Sequence, residues 1–493
     1  MRFSGVFRQE NSKILEISQK CLKSSSVFVS FSGSLHTHCT MPTVKQFVVV
    51  ALVAVVAFRL SVIMTHLDVF KTVVVTPNAA QCHLVAGFKA DGFEDVVYLD
   101  EHRAIACAGD IAHWTDPTFE PPVGSRGSVC VLIEAKEGQE TPVFGLLDIV
   151  GFPHYGDGKT DGFSERKVLR IHGMEVVKGP RPLLFAVNHA FLRGGEGILV
   201  FEIKVAERQL VFLRHLRLLG PQLELYRGTL NDLAVPYLSV NKETALPESG
   251  TILVSSFVEM GDPPEGKPTG VLPKLKMVGL LIFRVFTGSF NTKLLRCEFG
   301  PNSDELDCGT SLGGLGMANG IQTAPVKDKL QIGVLADVIL HELRVFVFTG
   351  DHFPTRREET ICLPVVHAAD NLNLDPRDGV VCKAIGESKV NCTLHFYSGV
   401  VGNIGAASRL EEKNIDHVVS PGGLVEHVVT AIVDVETGKL EEARQVSEHT
   451  VVLHNGTYFQ ATSAGVVFRP IGGKQGTVVL GSYKKQGLLV CPE

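Results

Sequence analysis

Gly92-Phe-Glu-Asp95 is the first of four short, oxygen-rich stretches that decide the fold of this chain. The other three are Leu230-Asn-Asp232, Asn319-Gly320 and Asp370-Asn371. Each stretch sits at a turn near an apolar run and supplies Glu, Asp or Asn oxygens, the ligands that hard Ca²⁺ takes from proteins. Because no Cys or His lies at close metal-binding spacing beside them, the set favours calcium over zinc.

The intervals between these stretches indicate a repeated unit. Two histidines, His172 and His189, fall between the first two stretches. The intervals are 78 residues from Glu94 to His172, 42 from His189 to Asn231, 88 from Asn231 to Asn319 and 51 from Asn319 to Asp370. These values lie near one or two multiples of the roughly 40–50 residues in a four-stranded propeller blade. The spacing therefore predicts that each stretch opens the innermost strand of a blade, so that the oxygens converge at one mouth of a central channel.

The composition is typical of many short strands joined by tight turns. Of 493 residues, 45% are apolar, and 49 Gly and 24 Pro interrupt the chain every few residues. Strand-like runs such as Val129-Cys-Val-Leu-Ile133 recur from residue 84 to the end and are too short for helices. These features predict an all-β fold. The net charge of −6, without a basic stripe, argues against nucleic acid as a partner.

The N-terminal part has the pattern of a targeting segment. Residues 1–40 are Ser-rich and basic, which predicts an unstructured extension, and Met41 would make a conventional start for a signal. The run from Phe47 to Phe58 is continuously apolar and follows Lys45, as in a secretory signal or anchor helix rather than a buried core helix. We therefore predict a signal or anchor segment with its linker over 41–80 and the β domain over 81–493. This implies the secretory pathway, an extracellular or membrane-anchored location, and lipid association through the N-terminal segment.

Cysteines and glycosylation sequons fit the same compartment. The chain has 11 cysteines, and an oxidising compartment permits disulfides, although spacing alone does not give their connectivity. Asn391-Cys-Thr393 and Asn455-Gly-Thr457 are sequons for N-glycosylation. Residues 240–275 are richer in Pro, Gly and Glu, and we expect an insertion or long loop there.

Several motifs, in one order along the chain, resemble those of the paraoxonase family of calcium-dependent lactonases and arylesterases. They are Cys82-His-Leu-Val-Ala-Gly87, Gly92-Phe-Glu-Asp95, Ile171-His-Gly-Met174, Val187-Asn-His189, Leu230-Asn-Asp232, Met317-Ala-Asn-Gly-Ile321, Asp370-Asn-Leu-Asn-Leu-Asp-Pro376, Asn455-Gly-Thr457 and Gly487-Leu-Leu-Val-Cys491. The resemblance runs from about Cys82 to Cys491. It implies a six-bladed β-propeller with two calcium ions in its tunnel, which hydrolyses small lactones or aryl esters.

The resemblance also implies roles for individual residues. The catalytic calcium would be held by five side chains, those of Glu94, Asn231, Asn319, Asp370 and Asn371. The structural calcium would be held by Asp95, Asp232 and the backbone carbonyl of Met174. His172 matches the histidine usually cast as general base, and His189 the one beside it. Cys82 and Cys491 match a disulfide that joins the first strand to the last and so closes the ring.

Two segments depart from the family pattern. After Pro376 the chain continues as Gly379-Val-Val-Cys-Lys383, without the family's Trp and Cys-His-Pro segment, so Cys382 corresponds only loosely to the family's free thiol. The family's Asn-Asp-His-Tyr-Phe stretch, expected between Asn231 and Asn319, is absent. These departures leave the metal framework intact and alter the expected substrate pocket.

Two other functions stay open from the sequence. A non-catalytic calcium-binding propeller, which binds a lipid or protein partner, would use the same metal ligands. Gly309-Thr-Ser-Leu-Gly313 is a formal Gly-x-Ser-x-Gly, which in an α/β hydrolase would make Ser311 the nucleophile. That motif needs a strand before it and a helix after it, and neither neighbouring sequence fits.

Overall fold

The computed structural model describes isolated residues between 53 and 68, and the chain from 71 to 493 with gaps. The gaps are residues 72, 86, 89–90, 110–127, 137–138, 140, 153–168, 190–195, 242–243, 245, 258–290, 302, 403–418, 458 and 470–475. The predicted extension (1–40) lies outside the described residues, as does most of the apolar run 47–58. The chain divides into two units, 1–56 and 57–493, and the second holds all the strands described below. No helix in the described part of the chain is both long enough and apolar enough to cross a membrane.

Strands dominate the described residues and form six antiparallel groups, which confirms a predominantly β fold. After the short strand β1 (His83–Val85), the first group contains β2 (Asp91–Tyr98), β3 (Arg103–Ala108), β4 (Val129–Glu134) and β5 (Val143–Val150). The second contains β6 (Ile171–Val177), β7 (Leu183–Asn188), β8 (Gly197–Lys204) and β9 (Gln209–Arg217). The helix α1 (Gly220–Tyr226) then leads to the third group, which contains β10 (Leu230–Val240), β11 (Pro247–Ser256), β12 (Thr292–Phe299) and β13 (Asp307–Leu315).

The remaining groups repeat this order of neighbouring strands. The fourth contains β14 (Ala318–Lys327), β15 (Leu330–Asp337), β16 (Glu342–Phe348) and β17 (Ile361–Pro364). The fifth contains β18 (Ala368–Leu374), β19 (Val380–Ala384), β20 (Lys389–Val401), β21 (Gly422–Asp434) and β22 (Lys439–His454), with β18 and β19 both paired to β20. Short 3-10 helices occur at Pro77–Gln81 and Arg357–Glu359.

The sixth group joins the two ends of the domain. It contains β23 (Thr462–Phe468), β24 (Thr477–Gln486), β25 (Leu488–Pro492) and, as its fourth strand, β1, which pairs with β25. A disulfide bond between Cys82 and Cys491 fixes the same junction, as the family resemblance predicted. The first strand and the last are therefore held by hydrogen bonds and by a covalent bond.

Three further disulfides each join neighbouring strands within a group. The pairs are Cys107–Cys130, Cys297–Cys308 and Cys382–Cys392, whereas Cys362 is free and exposed. The expectation that Cys382 corresponds loosely to a free thiol is therefore wrong. Four disulfides among the described residues are typical of a chain that folds in an oxidising, secretory or extracellular environment.

The first strands of the six groups contact one another in a cycle. In the order β2, β6, β10, β14, β18 and β23, each strand contacts the next, and β23 contacts β2. Backbone hydrogen bonds also connect some groups, because β24 pairs with β2 and β5 pairs in parallel with β9. None of the hydrogen-bonded sheets among the described strands closes on itself. The site described below lies on these first strands.

Apolar clusters fill the spaces between neighbouring groups. Ile105, Leu132 and Phe201 lie in a cluster between the first and second groups, and Leu253 and Phe346 lie in one between the third and fourth. Each fully buried side chain of this kind contributes about 1.5–3 kcal/mol relative to an exposed one. Because both faces of a group are covered, its strands read as continuous apolar runs rather than as alternating patterns.

The strand pattern agrees with one interpretation of the sequence, that Ser311 is not a nucleophile, and corrects another. Ser311 lies within β13 and donates its Oγ hydrogen to the carbonyl oxygen of Pro354 at 3.1 Å, and the chain continues into β14 rather than into a helix. The nucleophile elbow of an α/β hydrolase is therefore excluded. Within the stretch 240–275, where we expected a loop, Pro247–Ser256 is strand β11, and residues 258–275 lie outside the described part.

Candidate metal centre

The predicted site residues lie near the beginnings of the first strands. Their positions are Glu94 and Asp95 on β2, His172 and Met174 on β6, Asn231 and Asp232 on β10, Asn319 on β14, and Asp370 and Asn371 on β18. His189 directly follows β7. All six first strands, β23 included, have a shift of register at this level. A bulge re-aims side chains, so two successive residues such as Asp370 and Asn371 can both contribute to one centre.

Among the buried side-chain oxygens that have no hydrogen-bond partner within the described part of the chain, five belong to predicted calcium ligands. These five are Oε2 of Glu94 and Oδ1 of Asn231, Asn319, Asp370 and Asn371. Each of these residues is at most 6% exposed. An unpaired buried polar group costs about 1–3 kcal/mol, and such groups are few in native proteins. Five lone-pair oxygens from four strands fit a hard cation such as calcium, and they belong to the five residues that the resemblance assigns to the catalytic calcium.

Direct contacts join the strands that carry these oxygens. The side-chain amide of Asn371 donates to the main-chain carbonyl of Glu94 at 3.2 Å, which connects β18 to β2. A Cβ atom on Gly320 would lie 2.3 Å from the carbonyl oxygen of Asp370, so β14 approaches β18 more closely than a side chain would allow. The glycine after Asn319 is therefore required by this close approach.

Two further carboxylates bind main-chain N–H groups of neighbouring first strands. Asp95 accepts hydrogen bonds from Val96 and from Met174, both at 2.8 Å. Asp232 accepts them from Leu233 at 2.8 Å and from Ile321 at 2.9 Å. Asp95 thus joins β2 to β6, and Asp232 joins β10 to β14. Both belong to the set that the resemblance assigns to the structural calcium.

The four carboxyl groups concentrate negative charge in the buried interior. Burial, followed by the charges of neighbouring carboxylates, raises the pKa of Glu94, Asp232 and Asp370 well above their ordinary values. Burial also raises the pKa of Asp95 to about 7. In the described part of the chain, no three His, Cys, Asp or Glu side chains are grouped as metal ligands. The donor set is instead two carboxylates with three amides, which suits calcium, and the two carboxylates, when ionised, formally balance its charge.

The two predicted histidines are brought together beside this centre. The ring centroids of His172 and His189 are 4.6 Å apart. Nε2 of His172 lies 3.5 Å from Oε1 of Glu94, and Nδ1 lies 3.2 Å from the carbonyl oxygen of Asn231. A carbonyl only accepts, so Nδ1 carries the proton, and Nε2 of the neutral ring has a lone pair.

Burial keeps both imidazoles neutral near pH 7. It lowers the pKa of His172 well below the ordinary value, with a further decrease from His189. It lowers the pKa of His189 to about 3, with a smaller contribution from Arg170. Neutral imidazole is the form that accepts a proton as a general base.

Two functional candidates escaped the sequence analysis. Glu196 is buried, with its Oε1 3.5 Å from Nδ1 of His189, and it also accepts the N–H of Gly228 at 3.1 Å. Ser463 donates its Oγ hydrogen to the carbonyl oxygen of Glu94 at 2.5 Å. Ser463 is the second residue of β23, and Asn231 is the second residue of β10. This equivalent position in the first strand of a group could have identified Ser463 as a candidate.

The two sequons lie in different surroundings. Asn455 is exposed after β22, and its side chain accepts the N–H of Thr457 at 3.0 Å. Asn391 lies within β20, between β19 and β21, beside the disulfide-bonded Cys392. Its position in a paired strand makes Asn391 the poorer acceptor for a glycan.

No protein-family model and no curated protein sequence matches this chain. Among solved structures, it is similar to the α-L-arabinanase of Penicillium chrysogenum, with 10% identity, a TM-score of 0.36, and coverage of 83% of this chain and 94% of that one. It is also similar to a putative 6-phosphogluconolactonase from Bacteroides uniformis, with 12% identity, a TM-score of 0.33, and coverage of 83% and 86%. Likenesses at these TM-scores identify neither a family nor a function for this chain.

Proposed function

We propose that this chain is a calcium-dependent hydrolase of lactones and aryl esters, similar to the paraoxonases. The observation that supports this most strongly is the set of five buried, unpaired oxygens, one of which belongs to Glu94, the neighbour of a neutral histidine. The oxygens supply a place for a hard cation, and the histidine supplies a proton acceptor. Together these are the two elements that water needs to attack an ester carbonyl.

The proposal includes a six-bladed β-propeller. Six antiparallel groups of strands, a cycle of contacts between their first strands and a sixth group built from both ends of the domain support it. In such an arrangement each group is one blade, and each first strand lines the central channel. The disulfide between Cys82 and Cys491 would then lock the ring where its ends meet.

Two calcium positions follow from the donor groups. Glu94, Asn231, Asn319, Asp370 and Asn371 would hold the catalytic ion, and Asp95, Asp232 and the carbonyl of Met174 would hold the structural one. When bound at the first position, calcium supplies a positive charge that polarises a lactone or ester carbonyl and stabilises the developing oxyanion. The three amides contribute no charge, so the two ionised carboxylates formally balance the 2+ charge of this ion.

The chain's own residues would handle the proton. Nε2 of His172, with its lone pair beside Glu94, would take a proton from the attacking water. Hydrogen bonding of Nδ1 to Asn231 fixes the tautomer in which this is possible. His189, packed on His172 and in contact with Glu196, would hold the ring in place.

We also infer that the protein acts in the secretory pathway or outside the cell. The four disulfides support an oxidising environment. Signal or anchor activity of the segment from Phe47, and lipid association through it, remain predictions from the sequence. Fractionation of expressing cells, with a glycosidase shift assay on Asn455→Gln, would test both the location and the glycan.

Hydrolysis with and without calcium tests the proposed activity. The full chain, produced with its disulfides, should hydrolyse phenyl acetate and a simple γ- or δ-lactone when calcium is present. A calcium chelator should abolish both activities, and excess calcium should restore them. Full activity in chelator would overturn the proposal. Two bound calcium ions with no hydrolysis would instead favour the non-catalytic propeller that binds a lipid or protein partner.

A further inference from the structure

The turn between β13 and β14, which leads into Asn319, is held by the carboxylate of Asp337. Asp337 is the last residue of β15 and is only 1% exposed. Its Oδ2 accepts the main-chain N–H of Gly316 at 2.9 Å, and its Oδ1 accepts that of Met317 at 3.0 Å. Both oxygens of one buried side chain are therefore used to fix two successive residues just before a proposed calcium ligand.

Regular strand pairing does not fix the position of Asn319. The pairing of β14 with β15 changes register between Ala318 and Ile321, so Asn319 and Gly320 lie in its irregular part. At such an irregularity the ladder is locally disrupted, and the contacts on either side set the direction of the side chains. On the far side, the N–H of Ile321 is bound by Asp232. On the near side, the corresponding support is the turn between β13 and β14.

A buried arginine keeps the carboxylate of Asp337 in place. Arg344 on β16 is 0% exposed, and its Nε lies 3.6 Å from Oδ2 of Asp337. Its Nη2 donates to Oε2 of Glu342 at 2.7 Å, and its Nη1 donates to Sγ of Cys362 at 2.9 Å. Because each nitrogen of the guanidinium has its own contact, the group is held in one orientation beside Asp337.

The turn is closely packed as well as hydrogen-bonded. A Cβ atom on Gly316 would lie 2.6 Å from Oδ1 of Asp337 and 2.8 Å from Cγ of Leu340. The main chain therefore rests directly on the carboxylate, at a distance that only glycine permits. Thr292 adds a second support, because its Oγ1 accepts the N–H of Ala318 at 2.9 Å. The residues before Asn319 consequently have little freedom to move.

We propose that Asp337 is a positioning residue for the proposed catalytic calcium. By holding the N–H groups of Gly316 and Met317, it directs the unpaired Oδ1 of Asn319 towards the ion, and Arg344 holds Asp337 in turn. Asp337 acts through the main chain and is not itself a ligand. The inference rests on the proposed calcium site. Residues that orient metal ligands in this way typically change metal affinity by about 10–100-fold when they are replaced.

Calcium titration calorimetry on the full chain tests this role without reference to catalysis. Asp337→Asn keeps the shape of the side chain, but its amide nitrogen cannot accept a hydrogen bond, so one of the two N–H groups loses its partner. This variant should weaken the site that Asn319→Ala weakens by at least about tenfold, and the other site should change less than about threefold. Ser311→Ala is the control. It removes a buried hydrogen bond from β13, to the carbonyl of Pro354, and should weaken neither site.

A double variant separates positioning from general destabilisation. If Asp337 acts through Asn319, adding Asp337→Asn to Asn319→Ala should weaken the site less than about threefold beyond Asn319→Ala alone. Independent effects would instead multiply to about a hundredfold loss. If Asp337→Asn does not fold, Gly316→Ala takes its place in both experiments, with the same expected results. Its new Cβ displaces the same carboxylate and leaves every charge intact.

The outcomes distinguish this inference from the proposed function. A wild-type chain that binds no calcium would overturn both. If calcium binds, and Asp337→Asn or its substitute Gly316→Ala leaves every affinity unchanged or lowers both sites equally, the positioning role alone is wrong. A multiplied loss in the double variant would also overturn it, because Asp337 would then affect the site independently of Asn319.

Discussion

Nε2 of His172 lies 3.5 Å from Oε1 of Glu94, so the proposed proton acceptor and a proposed metal ligand are neighbours in one buried site. They come from different strands, β6 and β2, and are 78 residues apart in the sequence. Burial lowers the pKa of His172 and so keeps its ring neutral. Oε2 of Glu94 is buried without a hydrogen-bond partner in the described part of the chain. The proposed base therefore lies in contact with the proposed cation site.

Replacing His172 by Gln should separate catalysis from metal binding. Hydrolysis of lactones and aryl esters should fall about 10²-fold or more, the scale of a lost general base. Calcium affinity and the unfolding midpoint should stay near wild type, because Gln can still donate to the Asn231 carbonyl. His102→Gln, at an exposed position, is the control. Full activity of His172→Gln on both substrate classes would show that another group acts as base.

Asn319→Ala should have opposite effects on the metal-free and calcium-loaded protein. Removing an unpaired buried oxygen should leave metal-free stability equal or raise it by about 1 kcal/mol, whereas calcium affinity should fall at least about tenfold. Asn373→Ala is the matched control. The Asn373 side chain donates to the carbonyls of Val96 and Gly465, so its loss should destabilise both states. If Asn319→Ala and Asn373→Ala changed stability and calcium affinity in the same way, Asn319 would not be a calcium ligand.

The pH dependence of stability should reverse when calcium is removed. Burial raises the pKa of Asp95 from 3.8 to about 7 in the metal-free chain. Between these values the folded chain binds more protons than the unfolded chain, so its unfolding free energy falls as pH rises. With calcium present, protons compete with the ion, so stability should rise over the same range. Thermal unfolding at several pH values, on metal-depleted and calcium-saturated protein, measures both slopes. Slopes of the same sign would contradict a calcium site at these carboxylates.

Gly320→Ala should damage the site through its backbone. The added Cβ would lie 2.3 Å from the Asp370 carbonyl oxygen and 2.6 Å from the Leu372 nitrogen. We expect a loss of about 1–3 kcal/mol in the free energy of unfolding, together with weaker calcium binding. Gly309→Ala, where no heavy atom lies within 4 Å of the new Cβ, should be close to neutral. Denaturant unfolding and calcium titration of both variants would show whether close approach of β14 to β18 shapes the site.

The sequence predicted the part of this structure that local patterns determine. Glycine- and proline-bounded apolar runs identified a predominantly β chain, because strand length and turn chemistry are local properties. The pairs Glu94-Asp95 and Asp370-Asn371 were found because two oxygen-bearing residues stand together near an apolar run. The pairing of Cys82 with Cys491 came from the family resemblance, since 409 residues separate the two cysteines and no local pattern joins them.

Other parts of the structure depend on contacts between residues that are far apart in the sequence, and local sequence patterns do not show these contacts. Glu196 and Glu175 each read as one acidic residue in a strand or at its edge. Folding brings the first to His189, and it brings the second to Gln322, 147 residues away, whose side-chain amide donates a hydrogen bond to it. The strand at Pro247–Ser256 was missed because its proline and glycine resemble loop residues, whereas pairing with β10 and β12 overrides that preference.

The most direct test follows calcium occupancy and hydrolysis in the same titration. Metal-depleted full chain would be titrated with calcium while bound calcium and the rate of aryl-ester and lactone hydrolysis are both recorded. We expect two bound calcium ions per chain. The rate of hydrolysis should rise in proportion to occupancy of the proposed catalytic site, the one that Asn319→Ala weakens. Hydrolysis in the metal-depleted protein, or a rate that does not follow occupancy of that site, would contradict the proposed function.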